Sequence, residues 1–277
     1  MTVPHWRRFA ICGVAGLIAL FSRCGDGGNV ILLGATTSLQ DSGILDALVA
    51  RFEGESAYGI KPVVAGSGHV AELARQGEVD VIITHSPETE QRLAADGHVI
   101  ERQPVMQNEF LLVGPPDDPA GAGEADSMAD AFGRIAQTGS SFMSRGDGSG
   151  TNVRELAIWQ QTGVDPAGQS WYQESAVGQG QSLAIASDRG AYTLVDSATF
   201  TVFRERVQLA PLATDNEVAN VYSVMLVTPE RHSGVNAPGA RAFAQFLTSP
   251  ETQAFIDGYG VDHYGKSLFY AAATEKP

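Results

Sequence analysis

Ser144-Arg145-Gly146-Asp147-Gly148-Ser149-Gly150-Thr151 stands between a short apolar run, Ser141 to Met143, and a helical pattern from Asn152 to Gln161. The stretch reads as a strand-to-helix loop. Such a loop exposes the first N–H groups of its helix, which have no partners inside that helix, at the end where the helix dipole is positive. The glycines let the backbone approach a ligand with no Cβ in the way. Ser149 and Thr151 add hydroxyls, and Arg145 adds a cation with a planar fork of donors. Together these groups suit a small anion. The same letters also fit an ordinary Gly/Ser turn with an N-cap, so the rest of the chain has to decide.

Two units of the same kind precede it. Asn29 to Gly34 is a short apolar strand, followed by Ala35-Thr36-Thr37-Ser38-Leu39-Gln40-Asp41-Ser42-Gly43. A helix follows, with Ile44, Leu45, Leu48, Val49 and Phe52 on one face at the 3.6-residue period. Lys61 to Ala65 is a second strand. Gly66-Ser67-Gly68 then opens a helix carrying Val70, Leu73 and Ala74, with Gly77 near its end as a C-cap. Val79 to Thr84 reads as a buried strand and Pro87 to Ala95 as a helix. This β-α-β-α-β-α alternation predicts a parallel sheet covered by helices. In such sheets ligands bind where the carboxyl ends of strands lead into helices, and the hydroxyl-bearing loops fall there.

A second block follows. Glu109 to Gly114 is a strand, Pro115 to Pro119 breaks the chain, and Ser127 to Gln137 is a helix with Asp126 or Ser127 as N-cap and Gly139 beyond its end. The helix after the opening loop has Leu156, Ile158 and Trp159 as its apolar anchors. Gly178-Gln179-Gly180-Gln181-Ser182 leads into a helical stretch, Leu183 to Ser187, and Ala191 to Val195 is a strand. Val221 to Val227 is strand-like. Ala240 to Leu247 is helical, and Ser249-Pro250 supplies the N-cap and first residue of a helix over Glu251 to Asp257. No long linker and no repeat of fixed period interrupt the chain. Two intertwined lobes are therefore expected, with crossings near 105–110 and 200–222. Residues 29–108 with 222–277 would form lobe 1, and 109–221 lobe 2.

The chain has 277 residues, 43% of them hydrophobic, enough for a large core in one or two domains. Its formal net charge is -14. Residues 1–24 hold three of the 18 basic residues (Arg7, Arg8 and Arg23) and no acidic one, so the remaining 15 basic against 32 acidic residues leave the body at -17. That excess argues against nucleic acid and anionic lipid as partners, and an anion site must then rely on local, aimed donors. The first 24 residues read as an export segment: Arg7-Arg8 is a basic start and Phe9 to Phe21 an apolar run too short for a comfortable membrane span. Leu20 to Cys24 resembles a bacterial lipoprotein signal, with Arg23 where a small residue is usual. Both cysteines, Cys12 and Cys24, lie in this segment, so the body contains neither a disulfide nor a thiolate metal site. Export of a cysteine-free body fits a binding protein in the periplasm or anchored on the outer side of the cytoplasmic membrane.

Taken together, the loops resemble a known pattern. Ala35 to Gly43, Gly66-Ser67-Gly68, Thr84-His85-Ser86-Pro87-Glu88, Arg102 to Phe110, the opening loop, Gly190-Ala191-Tyr192-Thr193-Leu194 and Gly260 to Gly265 are similar to the solute-binding component of tungstate ABC transporters. These are type II periplasmic binding proteins related to the molybdate and phosphate binders. The resemblance spans about residues 30 to 270. It departs from the family at Ala35, where a threonine is usual, and at Gly178-Gln179-Gly180-Gln181, where Gly-Met-Gly-Ala is closer to the family pattern. It implies an α/β, two-lobed fold, each lobe a mostly parallel sheet flanked by helices, closing on one tetrahedral oxyanion. It further implies a monomer that passes tungstate or molybdate to an ABC permease, with no catalysis and no cofactor. The metal belongs to the ligand itself. The positions carried over as oxyanion donors are Thr37, Ser38, Ser67, Gly68, Arg145, Ser149, Gly150, Thr151, Gly178 and Gly180. A fully ionised dianion wants only donors, and Arg145 adds charge-assisted bonds. Asp147 is the residue to watch. Facing Arg145 it orients the arginine; facing the ligand it favours phosphate, which still carries a proton to donate.

Other motifs fare worse. Gly260-Val261-Asp262-His263-Tyr264-Gly265-Lys266-Ser267 matches the phosphate-loop pattern of nucleotide hydrolases, but it follows a helix and leaves only about ten residues for the helix the motif needs. Gly66 to Ala71 weakly resembles a dinucleotide fingerprint, but Asp80 comes too early to be its ribose acid. Neither Ser67 nor Ser149 sits in a Gly-x-Ser-x-Gly elbow. His69 and His85 read as loop or helix-start residues, and Trp159, Trp171, Tyr172 and Phe243 as packing. The competing readings are a phosphate or other oxyanion receptor of the same fold and a secreted hydrolase with a hydroxyl nucleophile.

Overall fold

The computed structural model describes residues 29–273; the export segment expected over 1–24 lies outside them. The chain begins with β1 (Val30–Thr36), α1 (Thr37–Asp41), α2 (Ile44–Glu55), β2 (Gly59–Ala65), α3 (Ser67–Gln76), β3 (Val81–Thr84), α4 (Pro87–Ala95) and β4 (Val99–Asn108). It then forms β5 (Phe110–Gly114), α5 (Met128–Thr138), β6 (Phe142–Ser144), α6 (Gly150–Thr162), β7 (Tyr172–Glu174), α7 (Gln179–Asp188), β8 (Thr193–Asp196), α8 (Ser197–Phe203) and β9 (Ala210–Thr214). It finishes with β10 (Asn220–Val227), α9 (Ala237–Leu247), α10 (Pro250–Gly258), α11 (Val261–Tyr264) and β11 (Tyr270–Ala271).

One six-stranded sheet has the order β11-β4-β10-β3-β1-β2. We call its elements lobe 1, and those from β5 to β9 lobe 2. Strand β1 pairs in parallel with both β2 and β3, whereas β10 is antiparallel to β3 and β4. The reversal has a topological cause. The helix-linked strands run toward the second lobe, and β4 leaves for it; β10 returns from it and must enter from the opposite end. Lobe 2 repeats the logic. Strand β5 enters between β8 and β9 and is antiparallel to both, while β6 and β7 pair in parallel and a parallel bridge from Phe142 to Tyr192 joins them to β8. In each lobe the entering strand is the reversed one, so the six-stranded sheet is mixed, and lobe 2 combines an antiparallel three-stranded sheet with a parallel pair.

Local sequence accounts for the elements that carry loops. Val81, Ile82 and Ile83 of β3 are all buried, as in a strand covered on both faces. Helix α3 stops where Gly77 adopts φ 70°, with its N–H on Ala74 O and that of Glu78 on Leu73 O. Ser127 and Ser149 cap α5 and α6, each accepting the N–H three residues on. In α6 the anchors Ile158 and Trp159 are buried, but Leu156 is 48% exposed. The inward stripe runs through Thr151, Glu155 and Ile158 to Trp159, so Leu156 lies off it, and the buried place falls to a carboxylate. Around Trp159, Phe132, Phe142, Trp171 and Tyr172 form the aromatic core of lobe 2. The core of lobe 1 is built on Leu33, Phe52, Tyr222 and Phe243, and Ala198 of α8 reaches into it. The phosphate-loop look-alike over residues 260–267 follows α10 with no strand before it and contains only the single turn of α11.

Candidate functional site

The loops read from the sequence meet between the lobes. A cavity of about 240 Å³ is lined by Thr37, Gly66, His69, Arg145, Asp147, Ala176, Val177 and Gly178. Thr37 begins α1, and Gly66 caps α3. Arg145 and Asp147 lie in the loop before α6, and Gly178 caps α7. The walls are close. A Cβ on Gly178 would lie 3.6 Å from Thr37 Cβ, and one on Gly68 would lie 3.7 Å from Gly148 O. At Gly150 any side chain would strike His85, whose Nδ1 would be 2.6 Å away. Here glycine is required by the approach of the other lobe.

Arg145 is 3% exposed and tightly held. Its Nε donates to Val177 O at 2.9 Å, its Nη1 to Gln179 Oε1 at 2.7 Å, and its Nη2 pairs with Asp147. These bonds use three of the five guanidinium N–H groups and leave two for a ligand. Asp147 faces the arginine: Oδ2 takes Nη2, and Oδ1 accepts the Ser149 backbone N–H at 3.1 Å. Neither Val177 nor Gln179 carries a sequence signal for this role, since each meets Arg145 only through a loop more than thirty residues away.

The hydroxyls fall into two groups. Ser67 Oγ and Thr151 Oγ1 are buried with no hydrogen-bond partner, one on α3 of lobe 1 and the other on α6 of lobe 2. A buried hydroxyl left unpaired costs about 1–3 kcal/mol; Ser67 adjoins Gly66 of the cavity wall, and Thr151 follows Gly150, the residue seated against His85. Ser38 and Ser149 already have partners. Ser38 Oγ accepts from Tyr222 at 3.0 Å, and Ser149 Oγ accepts the Asn152 N–H at 3.4 Å. Gly180 is placed differently from the expectation: its N–H is taken by Asp41 Oδ2 at 2.9 Å, and its Cα faces the Phe203 ring. Asp41, at the end of α1, has no motif around it that announces this contact.

Beneath the opening loop lies Glu155, 1% exposed. It accepts from Ser144 Oγ at 2.6 Å, Tyr172 OH at 2.7 Å, Trp159 Nε1 at 3.1 Å and Asn152 Nδ2 at 3.3 Å. Burial pushes its pKa up, and those donors pull it back. Ser144 Oγ in turn accepts the Gly146 N–H at 3.2 Å, so the buried carboxylate fixes the arch of the loop. Among the described residues no group of three or more His, Cys, Asp or Glu is arranged to hold a metal ion. No helix there is long and apolar enough to cross a membrane.

A profile described as the PBP superfamily domain matches residues 25–251. The chain belongs to the PBP superfamily. A protein of Haloferax volcanii, named for anion binding by an ABC transporter, is 42% identical over 264 residues, 92% of this PBP chain and 76% of its own. The tungstate-binding protein TupA of Peptoclostridium acidaminophilum is 36% identical over 248 residues, covering 88% of this chain and 86% of its own. Among solved structures, that of the tungstate ABC transporter from Geobacter sulfurreducens superposes with a TM-score of 0.77 at 36% identity, covering 83% of this chain and 98% of that one. The fold of this PBP is thus the type II periplasmic-binding fold, and its relatives are transport proteins that bind solutes.

Proposed function

We propose that this chain captures tungstate, with molybdate as its near analogue, between its two lobes outside the cytoplasmic membrane and hands it to an ABC permease. The observation that carries the reading is the pair of buried, unpartnered hydroxyls on opposite lobes, Ser67 next in sequence to Gly66 of the cavity wall and Thr151 on the helix that follows the Arg145 loop. A tetrahedral dianion supplies the acceptors they lack. The donors are Thr37, Ser38, Ser67, Gly68, Arg145, Ser149, Gly150, Thr151 and Gly178, with Gly180 serving the contact to Asp41 instead. The division expected at 221/222 shifts to the start of β10 at Asn220, which pairs in the lobe 1 sheet, so residues 29–108 and 220–273 move as one lobe and 109–219 as the other. Strand β4 ends at Asn108 and β5 starts at Phe110 in a different sheet, which supports this division. The kinship to proteins named for tungstate binding supports the ligand.

Asp147 lines the cavity, and its bonds to Arg145 and the Ser149 N–H favour a role in orienting the arginine. A hydrolase would need a base on its serine. Ser67 Oγ meets none, and Ser149 Oγ serves as a helix cap. Titration calorimetry against tungstate, molybdate, sulfate and phosphate tests the proposal, with tight tungstate binding expected. Tight phosphate binding with no tungstate heat would overturn it.

A further inference from the structure

We propose that Tyr222 is a positioning residue for oxyanion capture: together with Asn220 it sets the direction in which Ser38 offers its hydroxyl proton. The proposal rests on the reading of Ser38 as an oxyanion donor and adds the groups that prepare it.

The argument starts from a donor that cannot be reversed, the Thr199 backbone N–H, which donates to Asp196 Oδ1 at 2.9 Å. The same oxygen accepts from Asn108 Nδ2 at 3.0 Å, which orients that amide and leaves Asn108 Oδ1 as an acceptor. Asn220 Nδ2 donates to it at 2.7 Å and, with its second hydrogen, to Tyr222 OH at 3.2 Å. The orientation of Asn220 is therefore fixed as well. Its Oδ1 faces His85 Nδ1 at 2.8 Å, so the hydrogen sits on that ring nitrogen. Since Tyr222 accepts from Asn220, its own proton goes to Ser38 Oγ at 3.0 Å. Ser38 then keeps its own proton to donate, either to Thr36 Oγ1 at 3.2 Å or to a ligand.

Every member is buried: Tyr222 and Asp196 are 0% exposed, Ser38, Asn108 and Asn220 1% and His85 4%. Water therefore does not scramble the order, and in a low-dielectric interior successive donors polarise one another. The chain of bonds also spans the molecule. Asn108 ends β4 and Asn220 opens β10, the two crossings between lobes, and they pair in register. His85 stacks on Tyr222 with centroids 4.6 Å apart, and the same residue forms the surface on which Gly150 of lobe 2 seats. A serine can present either a proton or a lone pair. With Tyr222 on its oxygen, Ser38 is biased toward presenting the proton, which a fully deprotonated oxyanion requires.

A double-mutant cycle on the full chain tests this, with tungstate affinity and melting temperature as readouts. Tyr222→Phe is expected to weaken tungstate binding about threefold to tenfold, the worth of one neutral hydrogen bond. In a Ser38→Ala background the same change should have no effect. Equal weakening in both backgrounds, or none in either, overturns the proposal. As a second variant, 3-fluorotyrosine at position 222 keeps the side chain in place and makes its proton a stronger donor. It should tighten tungstate binding, and an unchanged affinity counts against the relay. If the unaltered chain binds no tungstate, the functional reading fails. If it binds tungstate and Ser38→Ala binds equally well, only the role of Ser38, and with it this inference, is lost.

Discussion

The carboxylate of Asp41 in lobe 1 accepts the backbone N–H of Gly180 in lobe 2, at 2.9 Å. The N-terminus of α7 is thus capped by the opposite lobe, in the arrangement that helix ends favour. Burial raises the Asp41 pKa, while the Gly180 N–H and Arg145 pull it down. A raised pKa in the folded state means that Asp41 contributes most to stability below its ordinary value of 3.8 and loses that contribution as the pH rises. Asp41→Asn keeps an acceptor oxygen and removes the charge. It should melt at or above the parent at pH 7, with the difference shrinking toward pH 4. Asp41→Ala removes the acceptor and should cost about 1 kcal/mol. Thermal melts across pH check this, and an Asn variant as unstable as the Ala variant would refute the cap.

His85 by itself works against stability in mild acid. Burial holds its pKa down at about 4, against an ordinary 6.5. Its contribution is complete above pH 6.5 and is lost as the pH falls toward 4, amounting to about 3 kcal/mol. Glu90, Glu155 and Asp196, all raised by burial, act in the opposite sense. The comparison must therefore be with His85→Asn, which retains a donor where Nδ1 stands. Urea denaturation between pH 7 and pH 4 should show the parent losing about 3 kcal/mol more than this variant. Parallel losses would place the acid sensitivity elsewhere.

Ser67 and Thr151 make a paired prediction. Each hydroxyl is an unpaired buried group without ligand, so Ser67→Ala and Thr151→Val should stabilise the ligand-free protein by about 1 kcal/mol each. Both should weaken tungstate binding about tenfold or more, since each removes a hydrogen bond to a charged group. Denaturation without ligand and calorimetry with it measure the two effects. Loss of stability with affinity retained would show the hydroxyls to be structural.

Arg145→Ala should lower tungstate affinity by about 2 kcal/mol or more. Arg145→Lys should fare almost as badly, because one ammonium cannot reach Val177 O, Gln179 Oε1 and Asp147 together and still face the ligand. Calorimetric dissociation constants decide it; a lysine variant that binds like the parent removes the planar fork from the account.

The loops at Thr37-Ser38, Gly66-Ser67-Gly68 and Ser144–Thr151 are legible because local signals agree: small or hydroxyl residues follow an apolar run and precede a helical period. What the sequence hides is long-range. Strand β4 is missed because Glu101-Arg102-Gln103-Pro104 interrupts its apolar pattern, and pairing with β10 and β11, more than a hundred residues on, makes it a strand. The reversed direction of β10 follows from the path through lobe 2, which no window of residues contains. Leu156 looks like a core residue until the true stripe of α6 is seen to carry Glu155. Asp41 and Gly180 lie 139 residues apart, and nothing near either announces the other.

The network around Glu155 has an optical consequence. Of the chain's three tryptophans, Trp159 donates its indole proton to Glu155 Oε1, while Oε2 of the same carboxylate holds Ser144 at the start of the opening loop. An excited indole responds to the charge and hydrogen bonding beside it, and two bonds connect Trp159 to the residue that precedes Arg145. The protein should report its own loading as a change in ultraviolet emission, with no dye attached.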